Sequence, residues 1–316
     1  MNPSEVRCES RVRLGQNRSQ GFFLRCSPAI IFFITATGCV LPGREGTVPK
    51  SVINARQLSQ RGIGAMERGD WGQAEALLGQ ATQACPADPE ARRQYAEALW
   101  HRGAKVEALA QIEEASKNSN DDPQLHVRAG EMLLELGKPD EALRRADQAI
   151  ALDAKSASAW ALHGRAVQAT SDAPRALADF QRALGYHHDD RQALLQTAEM
   201  YRQQGKPQRA LVAIQSLLDT YGPGEEPQPA LYLQGLALAA LGRYDDAVES
   251  HSLALQRGPA TAEIQYRLAE AHLLAGHLAD ARSQAQKALT LEPRHAPSAA
   301  LLERIQLAER TPTNWK

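Results

Sequence analysis

The 316-residue sequence has few aromatic residues and no run of alternating apolar and polar residues that would predict a half-buried strand. Phe, Trp and Tyr together make up 5% of the chain, whereas Ala, Leu, Gln, Arg and Glu recur throughout. The recurring residues favour helices, while aromatic and β-branched residues favour strands. The composition therefore predicts an all-α protein whose helices pack through small side chains.

The chain also lacks an excess of charge of either sign. Lys and Arg number 36 and Asp and Glu number 37, which gives a formal net charge of −1. Binding to nucleic acid depends on a basic field that neutralises phosphates. The charge balance therefore argues against nucleic acid as a partner.

Motifs of enzymes and metal sites are missing as well. The sequence contains no H-E-x-x-H, G-x-S-x-G or C-x-x-C, and the repeats described below leave no room for a separate catalytic domain. The best metal candidate is His187–Asp190, but adjacent histidines on a helix point about 100° apart, and a solvated turn is the simpler interpretation. We expect no enzymatic activity, no cofactor and no small-molecule substrate. An enzyme that uses His187 or Cys85 is the weakest alternative.

The first 38 residues differ in kind from the rest of the chain. Five arginines between residues 7 and 25 precede a 14-residue apolar run, SPAIIFFITATGCV, at Ser27–Val40. A basic segment followed by a short apolar run is the layout of a signal peptide. A helix that spans a bilayer needs about 20 residues. Residues 1–38 are therefore predicted to be a cleaved signal peptide.

The end of this run, Ala36-Thr37-Gly38-Cys39, resembles the lipobox of bacterial lipoprotein precursors. The resemblance implies that the chain is cut before Cys39, which then carries a covalent lipid. Val40 is not Asp, and in the enteric sorting pattern this implies the outer membrane. The expected location is thus the periplasmic face of the outer membrane of a bacterial cell envelope. The alternatives are a periplasmic protein with an ordinary signal peptide, or a cytoplasmic protein with a misassigned start codon.

Residues 39–54 are predicted to be a tether. Their sequence, CVLPGREGTVPKSVIN, contains two Pro and two Gly, which disfavour a regular helix. At ~3.3 to 3.6 Å per residue, the fifteen residues after the Cys reach about 50 Å from the membrane.

The rest of the chain follows a period of 34 residues, with a three-residue insertion before the sixth repeat. One column of the period contains only alanine: Ala74, Ala108, Ala142, Ala176, Ala210, Ala247 and Ala281. The predicted repeats are residues 55–88, 89–122, 123–156, 157–190, 191–224, 228–261 and 262–295.

Each repeat is predicted to form a hairpin of two antiparallel helices. Small residues twelve positions before and seven positions after the alanine column allow the helices to approach closely. Glycines are expected to end the first helix, because Gly accepts the left-handed conformation. They are Gly69, Gly103, Gly137, Gly205, Gly242 and Gly276. The two Gly-Lys-Pro sequences are therefore helix-helix turns, and they lack the second Gly and the hydroxyl residue of a phosphate-binding loop.

The period and its columns resemble the tetratricopeptide repeat over residues 55–295. The fourth repeat carries the matching residues Trp160, Gly164, Ala176, Phe180 and Ala183. The resemblance implies a right-handed superhelical solenoid of seven helix-turn-helix repeats. Residues 296–316, which begin with an apolar helical stripe, are predicted to be a capping helix and tail.

In this family the first helix of each repeat lines a concave groove that binds peptides or protein segments. Position by position, the resemblance implies a groove formed by Arg93, Glu97, Glu131, Arg165, Leu195, Glu199, Tyr232, Leu236, Tyr266 and Glu270. Family members that clamp an acidic carboxyl terminus present Lys and Asn in these columns, whereas this chain offers Glu. A partner with basic and apolar segments is therefore expected. The alternative is that the glutamates are ordinary solvated residues of a helix surface.

Together these features predict a non-enzymatic protein-binding scaffold that is anchored by lipid and assists the assembly of a membrane or secretion complex. A soluble cytoplasmic adaptor or co-chaperone with a spurious amino-terminal extension is the alternative. The fold alone does not identify a partner.

Replacement of the lipid-acceptor cysteine tests the anchor. We expect Cys39→Ala to abolish incorporation of radiolabelled palmitate while the melting curve of the repeats stays unchanged, because the repeats begin beyond the tether. Cys26→Ala, which removes a different cysteine of the amino-terminal segment, is the control and should label like the parent chain. Equal labelling of the Cys39→Ala chain and the parent would contradict lipid attachment at this residue.

Overall fold

The computed structural model describes residues 49–119, 122–170 and 172–310. It divides into two compact units, of which the first ends at residue 120 and the second begins at residue 121. Within the described ranges the chain forms fifteen helices and no strand, which confirms the all-α prediction. None of these helices combines the length and apolar character of a membrane span.

The first unit contains two helical hairpins. Its helices are α1 (Lys50–Glu67), α2 (Trp71–Ala84), α3 (Pro89–His101) and α4 (Lys105–Asn118). Helix α1 packs on α2, α3 packs on α4, and α3 also contacts both helices of the first hairpin. This is the arrangement expected of the first two repeats.

Helix α1 begins earlier than the sequence predicted. The segment assigned to the tether ends at Asn54, but residues 50–54 are helical. The reason is that Pro49 precedes the first turn, where a missing N–H has no consequence. The Pro49 carbonyl accepts the N–H groups of Val52 at 3.0 Å and Ile53 at 3.2 Å. Residues 39–48 of the predicted tether, including Cys39, and the predicted signal peptide lie outside the described residues.

The second unit continues the series of hairpins. Its helices are α5 (Pro123–Glu135), α6 (Pro139–Leu152), α7 (Ala157–Ala169), α8 (Ala173–Tyr186), α9 (Arg191–Gln203), α10 (Pro207–Leu218), α11 (Gln228–Ala240), α12 (Tyr244–Arg257), α13 (Ala262–Ala275), α14 (Leu278–Leu291) and α15 (Ala296–Arg310). Consecutive helices pack on each other, and first helices of neighbouring repeats also touch, for example α9 with α11 and α11 with α13.

Local sequence signals define the ends of most helices. Side chains of the N-cap residues accept a backbone N–H at the starts of α2, α3, α5, α7, α8, α9 and α13. The six glycines predicted to end first helices all have positive φ, from 66° at Gly205 to 87° at Gly103 and Gly276. The predicted turns are therefore confirmed.

The alanine column lies where the two helices of each hairpin meet. All seven of its members are completely buried. At the fourth repeat, a Cβ added to Gly164 would lie 2.9 Å from Cε1 of Phe180 and 3.2 Å from the carbonyl oxygen of Ala176. The small residues are thus required by the short distance between helices α7 and α8.

Helix α15 closes the apolar end of the last hairpin. Leu301 and Ile305 are buried against Ala269, Ala281 and Ala285. The apolar stripe that the sequence predicted for this helix therefore faces the last repeat.

Overpacking of the fourth hairpin tests the alanine column. We expect Ala176→Leu to lower the free energy of unfolding by roughly 1 to 3 kcal/mol, because the added carbons have no space between α7 and α8. Ala178→Leu, an exposed site on the same helix, is the matched control. Chemical denaturation curves that coincide for both variants would show that the column tolerates a larger residue.

Candidate functional site

Two predicted groove residues, Arg93 and Glu97, lie on α3 in the first unit. Arg93 donates from Nε and Nη2 to the two carboxylate oxygens of Glu90, at 2.9 and 2.7 Å. The hydrogen bond from Arg93 is the main cause that lowers the pKa of Glu90. Glu97 is half-buried on the same helix. The negative charge of Glu90 is therefore compensated within this helix.

In the second unit, Glu131 on α5 and Arg165 on α7 approach each other. Nη1 of Arg165 lies 3.9 Å from Oε1 of Glu131, and Nη1 of Arg128 lies 3.2 Å from Oε2 of the same carboxylate. Arg128 was not among the predicted groove residues. Its position three residues before Glu131 is the sequence signal that could have identified it.

Glu199 on α9 is held in a similar pair. Arg202 donates to both of its carboxylate oxygens, at 2.8 and 2.7 Å, and Gln203 donates to Oε1 at 2.7 Å. Burial alone would raise the pKa of Glu199, but these hydrogen bonds lower it below its ordinary value. Glu199 is thus a charged and hydrogen-bonded residue at neutral pH.

The two predicted apolar residues of the groove, Leu195 and Leu236, lie at the edge of the core. Both are half-buried and pack against a cluster that contains Ala198 and Ile214. Each leucine therefore presents only part of its side chain to the surface.

Both predicted tyrosines are half-buried, and their hydroxyl groups bind carboxylates of α13. Oη of Tyr232 donates to Glu263 at 3.2 Å, and Oη of Tyr266 donates to Glu270 at 3.2 Å. Burial is the main cause that raises the pKa of each phenol, and the neighbouring carboxylates add to it. The Tyr232 bond connects α11 to α13. Tyr232 therefore contributes to the contact between two repeats, whereas the bond of Tyr266 stays within α13.

Arg267, which the sequence analysis did not identify, joins these groups. Its Nε donates to Glu263 at 2.7 Å and its Nη1 donates to Glu270 at 3.1 Å. Burial alone would lower the pKa of Arg267, but the two carboxylates raise it above its ordinary value. Residues of α11 and α13 thus form one connected polar network.

A cavity of about 350 Å³ lies beside this network and is lined by residues of α9, α11, α12 and α13. We call it the arginine cavity. Its lining consists of Arg202, Leu236, Ala239, Ala240, His251, Arg267, Glu270, Ala271 and Leu274. The cavity brings together two predicted groove residues, Leu236 and Glu270, and two arginines that were not predicted from the sequence, Arg202 and Arg267.

His251 occupies an unusual place in the wall of the arginine cavity. It is 1% exposed, and its Nδ1 has no hydrogen-bond partner among the described residues. It belongs to the column of the repeat filled elsewhere by Leu78, Ile112, Ala146, Phe180, Ile214 and Ala285. Burial first, and then the charge of Arg267, lower the pKa of His251 to about 4.

The two residues of the enzyme alternative lie in ordinary structural positions. His187 is an exposed residue at the C-cap of α8, and Asp190 caps α9 by accepting the N–H of Ala193 at 2.8 Å. Cys85 is 4% exposed and is not a free thiol. Within the part of the chain that the structure describes, no group of three His, Cys, Asp or Glu residues has the arrangement of a metal site.

Family models described as tetratricopeptide repeat match residues 65–129, 123–148, 161–225 and 232–300. Together these segments cover more than half of the chain. No curated protein matches it in sequence.

Solved structures with similar folds include the following three proteins, of which the first and the third are described as tetratricopeptide repeat proteins. The protein from Parabacteroides merdae is 16% identical, with coverage of 82% of this chain and 100% of that chain and a TM-score of 0.56. PilW, described as a widely conserved type IV pilus biogenesis factor, is 20% identical, with coverage of 67% and 96% and a TM-score of 0.57. YrrB, described as having an unusual peptide-binding site, is 19% identical, with coverage of 61% and 97% and a TM-score of 0.53. At these identities the similarity establishes the fold alone.

The buried histidine gives a testable pH dependence. The folded chain binds a proton at His251 only near pH 4, whereas the unfolded chain binds it near pH 6.5. Because the unfolded state then holds more protons, stability falls as the pH is lowered from about 6.5 to about 4. At 1.36 kcal/mol per pKa unit, the loss is about 3 kcal/mol.

Replacing His251 with Phe, the residue that the fourth repeat has at the equivalent position, isolates the contribution of His251 to the pH dependence of stability. We expect His251→Phe to remove most of the loss, as measured by urea denaturation at several pH values. His188→Phe, at an exposed histidine, should retain the parent's pH dependence. Parallel pH profiles for the parent and His251→Phe would contradict the depressed pKa.

Proposed function

Since the chain belongs to the tetratricopeptide repeat family, we propose that it is a non-enzymatic scaffold that binds a segment of a partner protein. The binding surface proposed for the second unit is the face formed by α9, α11 and α13. The arginine cavity is the observation that carries this proposal, because apolar and charged side chains from three successive repeats meet there. Concave sites with an apolar floor and a few polar groups are typical of ligand recognition.

The proposed site of action is the bacterial cell envelope. The resemblance of Ala36-Thr37-Gly38-Cys39 to a lipobox supports a lipid anchor at Cys39, on the periplasmic face of the outer membrane. Among the structural relatives, PilW is described as a pilus biogenesis factor. By analogy with PilW, we propose that this chain assists the assembly of a membrane or secretion complex.

Cell fractionation tests the location independently of any partner. Cells that express the intact chain should retain it in the outer-membrane fraction, and the Cys39→Ala chain should move to a soluble fraction. Recovery of the intact chain in the cytoplasm would favour the adaptor hypothesis instead.

The charge of the partner depends on how the glutamates are paired. A basic partner segment was predicted from the glutamates in the groove columns. In the second unit, however, Glu131, Glu199 and Glu270 each bind an arginine of the same helix. These half-buried pairs place a positive charge next to each carboxylate, so less negative charge is left uncompensated for a basic ligand. The apolar part of the partner is therefore the better supported half of the prediction, and the basic part stays a prediction.

The tyrosine pair tests the binding face. We expect Tyr232→Ala plus Tyr266→Ala to weaken capture of partners from an envelope extract, with a loss of roughly 2 kcal/mol or more if both rings are anchors. The main change should be a faster dissociation rate, measured by surface plasmon resonance with a recovered partner.

Two further variants separate contact from packing. Tyr232→Phe plus Tyr266→Phe keeps both rings and removes their hydrogen bonds to Glu263 and Glu270. Tyr186→Ala removes an exposed ring on α8 and should leave capture unchanged. Because the Tyr232 hydroxyl also joins two repeats, melting curves accompany each measurement. Full capture by a folded double-alanine variant would place the binding site elsewhere.

A further inference from the structure

Residues of helices α8, α9 and α10 line a second cavity, with a volume of about 490 Å³. We call it the valine cavity. Its apolar part consists of Leu184, Leu194, Val212 and Ala213, of which Leu194 and Ala213 are buried. It shares no lining residue with the arginine cavity. The valine cavity is therefore a separate candidate surface of the second unit.

Val212 is 69% exposed at the edge of this cavity. Single exposed apolar residues are common on protein surfaces, but this one adjoins two cavities. Val212 also lines a cavity of about 480 Å³ on the side of α11 and α12, together with Leu211, Leu238 and Leu253. The equivalent positions of the other repeats hold alanine or a polar residue, namely Ala76, Ala110, Arg144, Ala178, Glu249 and Ser283. Apolar surface thus continues on both sides of α10, around a valine that the repeat pattern does not require.

Among the described residues that line the valine cavity, Arg209 alone is charged. Its Cζ lies 5.8 Å from the centroid of the Tyr201 ring, and it pairs with no carboxylate in the described part of the chain. At the equivalent position four other repeats have a carboxylate, namely Glu107, Glu141, Asp246 and Asp280. The lining of the valine cavity therefore carries a positive charge that its own residues do not compensate.

The Tyr201 hydroxyl adds a hydrogen-bond donor to the same lining. It accepts Nε2 of Gln181 at 2.7 Å, but its own O–H donates to no acceptor among the described residues. A hydroxyl group can donate and accept at once, and a guanidinium group has five N–H donors. An anionic ligand could therefore bind Arg209 and Tyr201 without breaking an existing ion pair, whereas a cationic ligand would find no carboxylate in this lining.

We propose that the valine cavity binds a segment of a partner protein that carries a carboxylate beside an aliphatic residue. The carboxylate pairs with Arg209 and accepts the Tyr201 hydroxyl, and the aliphatic side chain covers Val212. A protein segment fits better than a small anionic ligand, because the apolar surface extends from the valine cavity across Val212 to the neighbouring cavity. This contact goes beyond the function proposed above, since it lies apart from the arginine cavity.

Short peptides of defined sequence test the charge preference. The probes are acetyl-Ala-Leu-Glu-Leu-Ala-amide and its Gln and Lys counterparts, titrated into the full-length chain with isotope-labelled Val and Leu methyl groups. The NMR signals of the Val212 and Leu184 methyl groups report binding at the cavity. Because an exposed ion pair contributes modestly, we expect the Glu peptide to bind about threefold more tightly than the Gln peptide, and the Lys peptide to bind most weakly. Equal affinities of the Glu and Lys peptides, or no movement of these signals, would overturn the proposal.

Two further measurements distinguish other occupants. Decanoate that moves the Val212 signals at lower concentration than the Glu peptide would indicate a fatty acid and overturn the choice of a protein segment. A dimer of the parent chain that Val212→Ala dissociates, seen by analytical ultracentrifugation, would assign the surface to a second copy of this chain and overturn the choice of a different protein.

Two single substitutions locate the site. We expect Arg209→Gln to reduce affinity for the Glu peptide about threefold and to remove its advantage over the Gln peptide. We expect Val212→Ala to reduce affinity for both peptides about fivefold, because less apolar surface is covered, as followed by the Leu184 signals. Both residues are exposed, so both variants should fold. Arg304→Gln and Val106→Ala, at exposed residues of α15 and α4, are the matched controls and should bind like the parent chain.

Peptide binding at the valine cavity does not depend on the arginine cavity. Tyr232→Ala plus Tyr266→Ala alters the face proposed above but no residue of the valine cavity. A folded chain with these two substitutions should keep the parent affinity for the Glu peptide, and loss of binding would place the peptide on the other face and reject the valine cavity. Unchanged peptide binding by Arg209→Gln and Val212→Ala would also reject the valine cavity, while the function proposed for α9, α11 and α13 would stand.

Discussion

The close approach of paired helices at the buried alanines is the contact on which the described structure depends. Ala176 and its six counterparts have no exposed surface, and the space opposite Gly164 is filled by Phe180. Since interiors are close-packed, the distance between paired helices is fixed by these small residues. The larger side chains then fill the gaps between hairpins, and the outward faces of the first helices become available for polar residues. The arginine cavity lies on faces of this kind.

The repeats, their turns and their core could be read from the sequence because each depends on local chemistry repeated at a fixed spacing. The polar contacts could be predicted only in part. Matching the sequence to the groove positions of the family identified Glu131, Glu199 and Glu270. It missed the arginines of the same helices that pair with them, Arg128, Arg202 and Arg267, because these lie at other positions of the repeat. The columns also left open how Tyr232 would be oriented. Its hydroxyl binds Glu263 on α13, the first helix of the following repeat. This contact depends on how the two repeats are rotated relative to each other, which the sequence of neither repeat specifies.

His251 shows how one substitution in a repeating core creates a local difference. Its column holds apolar residues in the other six repeats, and all seven positions face the interior of a hairpin. An imidazole can fill such a position only when it is neutral, because burial disfavours its charged form. The same ring lines the arginine cavity. Core packing and the surface of the proposed site are therefore coupled at this residue.

The hydrogen bonds between α11 and α13 have a mechanical consequence. In a stack of repeats, bending requires neighbouring first helices to rotate against each other. Tyr232 donates to Glu263, which also binds Arg267, so rotation at this junction would separate a phenol from a charged pair. These hydrogen bonds therefore oppose rotation of α11 against α13, and a ligand seated against α13 would meet side chains that are already held in place by their neighbours.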